Sequence, residues 1–137
     1  MKKKITTLLA ILFLLAIHTA KAQDSTITRY PVVVSFQSIC CGVPSDSTVV
    51  SYIRAFKKKN KLTGIEATQI GPMGKEGEYY LAFSLKELNK KQMKSFIAGL
   101  KKVKKQPDET GEISFMENYS LQDKPKPRRA TVRKIVY

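Results

Sequence analysis

The sequence predicts an α+β domain in which two helices cover one face of a four-stranded antiparallel sheet, the elements running βαββαβ. Three observations lead there. Apolar residues alternate with the period of a strand around Val32, Val34 and Phe36, and again around Tyr79, Leu81 and Phe83. Two other stretches repeat them every three or four positions, the period of a helix. Glycine and proline punctuate the joins between these stretches.

Taken in order, Tyr30 to Ile39 is rich in β-branched and aromatic residues and reads as the first strand. Cys40 to Asp46 has turn chemistry and ends in residues suited to capping a helix. From Ser47 to about Lys61, the spacing of Val49, Ile53 and Phe56 predicts the first helix, which Gly64 ends. Ile65 to Ile70 is a short strand, Gly71 to Gly77 a glycine-rich hairpin loop, and Glu78 to Leu85 the returning strand. The second helix is the most fully specified element. Asn89 and Gln92 stand three apart as a capping box, with Leu88 and Met93 placed to staple across it. Met93, Phe96, Ile97, Leu100 and Val103 then form one apolar stripe, and lysines take the other side. Pro107 and Gly111 break the chain before a last strand from Glu112 to Asn118.

Elements in this order make the ferredoxin-like, split βαβ arrangement, here over residues 30–121. Val32, Val34, Phe36, Tyr79, Leu81, Phe83, Ile113 and Phe115 would face the helices. Their alternates, among them Val33, Ser35, Tyr80, Ala82 and Met116, would form an open face that is only half polar. Residues 23–29 read as a flexible N-terminus, and residues 122–137 as a basic, proline-containing tail.

The chain opens with Lys2, Lys3 and Lys4, followed by an apolar run from Ile5 to Ile17 and by Ala20-Lys21-Ala22. That order is the signature of a cleavable secretory signal peptide over residues 1–22. The alternative is an uncleaved anchor, but the run is shorter than the roughly 20 residues a spanning helix needs. Cleavage would leave no membrane-spanning segment and an exported protein, periplasmic or extracellular. It would remove His18, the one histidine, and with it Ser-His-Asp and Cys-His catalysis and any imidazole-dependent zinc site. Of 25 Lys and Arg, four lie in this leader, so 21 face 11 Asp and Glu and the net charge falls from +14 to +10. Such a basic protein attracts acidic partners, although lysines along helix surfaces also serve solubility.

Cys40 and Cys41 are the two cysteines, and both would survive cleavage. In an oxidising compartment two cysteines normally pair. Adjacent Cα atoms lie about 3.8 Å apart, closer than the usual disulfide span of roughly 4.4–6.8 Å, so an internal bridge would be strained. Three states remain: a strained and easily reduced disulfide, two thiols holding a soft metal such as Cu(I) or Zn, or links to another molecule. One cysteine can equally be a small buried hydrophobe. The pair is expected near the start of the first helix, where the helix dipole lowers thiol pKa. Its position, where the first strand passes into the first helix, resembles that of the metal-binding loop in heavy-metal-associated domains, the copper-chaperone family. The resemblance implies the βαββαβ fold and a soft-metal site at Cys40 and Cys41. The family pattern places two residues between its cysteines, whereas here the two are adjacent.

The remaining candidates are surfaces. Val33, Tyr80 and Met116 on the open face, with Arg128 and Arg129 in the tail, are placed to bind a protein or an acidic envelope polymer. The loop from Gly71 to Gly77 joins two strands and lacks the Lys-Ser/Thr of a phosphate loop. The third strand lacks the Gly-aromatic pattern of RNA-recognition motifs, so nucleic acid is not the expected partner. Glu76 and Glu78 read as solvated loop charge, and the acids form no catalytic dyad.

Overall fold

The computed structural model describes residues 27–103, 110–122 and 131–137. Residues 1–22, read as a signal peptide, lie outside the described residues. The strands are β1 (Ile27–Ser38), β2 (Glu66–Met73), β3 (Glu78–Phe83), β4 (Gly111–Gln122) and β5 (Thr131–Val136), and the helices are α1 (Ser47–Lys59) and α2 (Lys90–Lys101). The fold is α+β: one five-stranded antiparallel sheet, in the order β4-β1-β3-β2-β5, with two helices.

One layer of the core is built as the apolar patterns dictate. Val32, Val34 and Phe36 of β1, Leu81 and Phe83 of β3 and Ile113 of β4 pack against Val49, Ile53 and Phe56 of α1 and Phe96 and Leu100 of α2. Burying side chains of this size contributes about 1.5–3 kcal/mol each. Phe96 stands edge-on to Phe56, with ring centroids 5.1 Å apart, and to Phe83 at 5.6 Å. The α2 capping box is present: Gln92 N–H donates to Asn89 Oδ1 at 2.9 Å, and Asn89 N–H to Gln92 Oε1 at 3.1 Å. The helices meet at Gly99, where a Cβ would come within 2.8 Å of the Tyr52 ring. The Tyr52 hydroxyl crosses the seam to donate to the Phe96 carbonyl at 2.8 Å.

Three expectations are corrected. The sheet has five strands, because Thr131–Val136, read as tail, pairs with β2 from Glu66–Val136 to Gly71–Thr131. Only Ile135 of this segment packs on the core, with Tyr137 just after it, so its own apolar pattern is too thin to announce a strand. The β1 strand begins at Ile27, so Ile27, Thr28 and Arg29 pair with Gln122, Leu121 and Ser120 instead of forming part of a flexible terminus. Finally, the face away from the helices is not open at its centre. Val33 and Ala82 are fully buried there, within a second cluster with Tyr30, Ile70 and Leu121.

A local device supplies part of that second cluster. Pro31 has no N–H to give the ladder, and opposite it Asn118 adopts a left-handed φ of +50°. The Asn118 carbonyl accepts instead from Arg29 Nε at 3.2 Å. Register holds across this point, with Tyr30–Tyr119 on one side and Val32–Glu117 on the other. Yet the side chains exchange faces. Tyr30 and Leu121 join Val33 and Met116, although strict alternation would send Tyr30 to the helix side with Val32.

Burial pushes the Tyr52 phenol up to about 12 from its ordinary 10. The folded state therefore keeps a proton that the unfolded chain releases. This contribution to stability is full below about pH 10 and is lost as pH climbs from 10 through 12. Tyr52→Phe is expected to cost about 1 kcal/mol at neutral pH, through the lost hydrogen bond. It should also flatten the alkaline fall in stability, read by denaturant unfolding across that range. Parallel wild-type and variant curves would contradict this role for Tyr52.

Candidate functional site

The loop carrying Cys40 and Cys41 is bound at both ends to the sheet. As β1 ends, the N–H groups of Ile39 and Cys40 both donate to the Thr110 carbonyl beside β4, at 2.8 and 3.1 Å. Cys41 and Gly42 then take left-handed φ values of +63° and +116°, which turn the chain away from the strand direction. Pro44 is buried against Gly111, where an added Cβ would stand 2.5 Å from its ring. Asp46 occupies the cap position of α1 but makes no side-chain bond to the helix. Its carboxylate accepts from the Tyr79 hydroxyl instead. Tyr79 in turn stacks on Phe36, with centroids 4.5 Å apart and planes 11° off parallel. Burial first, and then the Asp46 charge, raise the Tyr79 phenol. A chain of contacts thus runs from the core to the loop.

The reversal at Cys41 decides where the thiols lie. Had the strand run on through them, the two side chains would point to opposite faces. With Cys41 left-handed, both sulfurs are exposed, no disulfide joins them, and the thiols hydrogen-bond to one another. That bond raises the Cys40 pKa above its ordinary 9.0, with smaller upward contributions from desolvation and from the Glu76 charge on the β2–β3 loop. The expected lowering by a helix dipole is corrected: α1 starts at Ser47, outside the reach of a dipole that acts within one turn. Ile39, beside the pair, is 72 % exposed. Among the described residues, no group of three or more His, Cys, Asp or Glu is arranged to hold a metal. The cysteines would therefore act as a two-sulfur donor set.

The predicted partner-binding residues fare differently. Val33 is fully buried, so it presents no surface; its neighbours in the second cluster enclose it. Tyr80 and Met116 pack half-buried on the same cluster. Arg128 and Arg129 lie outside the described residues. Sequence reasoning passed over a cavity of about 320 Å³ between the end of β1 and the β2–β3 hairpin, lined in part by Ser35, Ser38, Met73 and Glu78. A serine at position 35, within the apolar run of β1, was the signal available.

The mutual thiol bond has a kinetic consequence. A raised pKa keeps Cys40 protonated and unreactive near neutrality, with reactivity rising as pH passes upward through that pKa. Cys41→Ala removes the largest cause. Iodoacetamide should then alkylate Cys40 faster in the variant than in the wild type at pH 7, the two rates converging in alkali. Equal rates at pH 7 would show that Cys41 does not hold the Cys40 proton. Compared with protein-family models, with curated proteins and with solved structures, the chain matches none.

Proposed function

We propose that this protein is an exported binding module, built on a ferredoxin-like core, that holds a soft cation such as Cu(I) between the thiols of Cys40 and Cys41. The observation that carries this reading is the backbone of Cys41. A non-glycine residue held left-handed costs on the order of 1–3 kcal/mol, a cost that glycine at the same place would avoid. A cysteine there is accounted for by its sulfur, which the turn brings beside that of Cys40 in an exposed position. Among the described residues no third His, Cys, Asp or Glu is grouped with the two thiols to hold a metal, and a two-sulfur set suits a soft, low-coordinate ion better than a hard one. Support for the core comes from the order β4-β1-β3-β2, to which β5 adds a strand outside β2.

Both thiols must lose their protons to bind the ion, and Cys40 holds its proton tightly. Affinity should therefore fall as pH falls, and binding should release protons. Titration with Cu(I) against a competing chelator is expected to show one ion per chain in the wild type and none in Cys40→Ser/Cys41→Ser. Undiminished binding by the double variant would sink the thiol site. Oxidation to an intramolecular disulfide with no Cu(I) uptake would transfer the pair to thiol-redox chemistry.

Export is tested separately. The mass of the protein recovered from the cell envelope should correspond to a chain beginning at Gln23. A mass retaining residues 1–22 would identify the leader as an anchor.

A further inference from the structure

We propose that the cavity between the end of β1 and the β2–β3 hairpin binds a small ligand through a primary ammonium group. Its volume of about 320 Å³ stands at the lower end of the range for small-molecule sites. Three of its lining residues carry buried oxygens that have no hydrogen-bond partner among the described residues: Ser35 Oγ, Ser38 Oγ and Glu78 Oε2. Ser35 is only 1 % exposed. Buried polar atoms are almost always satisfied, and a carboxylate oxygen is the costliest to leave without a donor. By strand alternation Ser35 and Glu78 share one face of the sheet, and two such atoms beside one cavity make a concentrated demand for donors.

The chemistry of these two decides what fits. A carboxylate only accepts, so the ligand must bring N–H or O–H groups, and Glu78 favours positive charge. A primary ammonium has three donors and no acceptor, so it can serve Ser35 Oγ and Glu78 Oε2 together without bringing an unmatched acceptor. Tyr80 adds an aromatic face and Met73 a thioether against which a short aliphatic stem can lie. A hard divalent cation would ask for more carboxylate than Glu78 alone supplies. The sheet frames the cavity, since Ser35 is the β-sheet partner of Tyr80 and Met73 that of Glu78. Gly74, at φ +66°, leaves room for the carboxylate, because a Cβ there would collide with Glu78 Oε2. Neither cysteine lines the cavity, so this site stands or falls apart from the thiol pair.

The test is an amide NMR titration of the full chain with propylammonium chloride, beside 1-propanol and tetramethylammonium chloride. Saturable shifts at Ser35, Ser38, Glu78 and Tyr80 are expected with propylammonium in the millimolar range. Binding of the alcohol and of the donor-free cation should be weaker by about tenfold or more. Glu78→Gln should weaken propylammonium binding about tenfold and Ser35→Ala severalfold, while Cys40→Ser/Cys41→Ser binds as the wild type does. Thermal melts report whether each variant folds, and the comparison of three ligands on the wild type decides the matter if neither does. No saturable shift at these residues, an equal response to tetramethylammonium, or unchanged affinity in both folded variants would overturn the proposal.

Discussion

The apolar face of β1 packed beneath two helices is the constraint on which the rest of the molecule depends. Val32, Val34 and Phe36 each lose all their exposed surface there, on a strand that β4 and β3 flank on its two sides. Phe36 transmits that order outward. Its ring holds Tyr79 flat, Tyr79 holds Asp46, and Asp46 closes the loop that begins at Cys40. The loop is therefore positioned by the core at one end and by the Thr110 carbonyl at the other. Its geometry owes little to its own residues except where Cys41 and Gly42 turn left-handed.

The sheet pays attention to both of its faces, by different means. Beneath the helices, burial follows the strict alternation of β1 and β3. On the far side it relies on a break in alternation, where Pro31 and Asn118 stand opposite one another and Arg29 supplies the missing donor. That break turns Tyr30 and Leu121 toward Val33 and Ala82. At the end of the same face, large apolar side chains give way to Ser35 and Glu78 and the surface becomes concave. One face thus combines an enclosed apolar centre with a polar recess at its margin.

The two chemical features of the protein lie near each other yet differ in character. The thiol pair is exposed, and the Cys40 proton is held by hydrogen bonding to Cys41 more than by burial. The recess is open to solvent on one side, and its buried oxygens are short of donors. The β2–β3 hairpin touches both, through Glu76 toward Cys40 and through Gly74 toward Glu78. Acids that look like solvated loop charge in the sequence consequently bear on both features, Glu76 by its charge on Cys40 and Glu78 by an oxygen left without a partner among the described residues.

Periodicity and capping residues by themselves determined both helices, the Asn89–Gln92 box, the four strands from β1 to β4, and which of their residues face the helices. These are local properties, decided by spacings of two, three or four residues, and local chemistry suffices to read them. Cys40 and Cys41 stood out too, as two neighbouring thiols that the rest of the sequence pattern does not require. Only the tertiary structure decided that Thr131–Val136 joins β2, because its pairing partner lies some sixty residues away and its own pattern is thin. It alone set the burial of Val33, since the face exchange at Pro31 needs Asn118 on another strand. It alone brought the two sulfurs together, through a backbone turn that strand alternation argues against, and gathered Ser35, Ser38 and Glu78 around one cavity. In each case the deciding contact joins residues far apart in sequence, or rests on a dihedral angle that residue type alone does not specify.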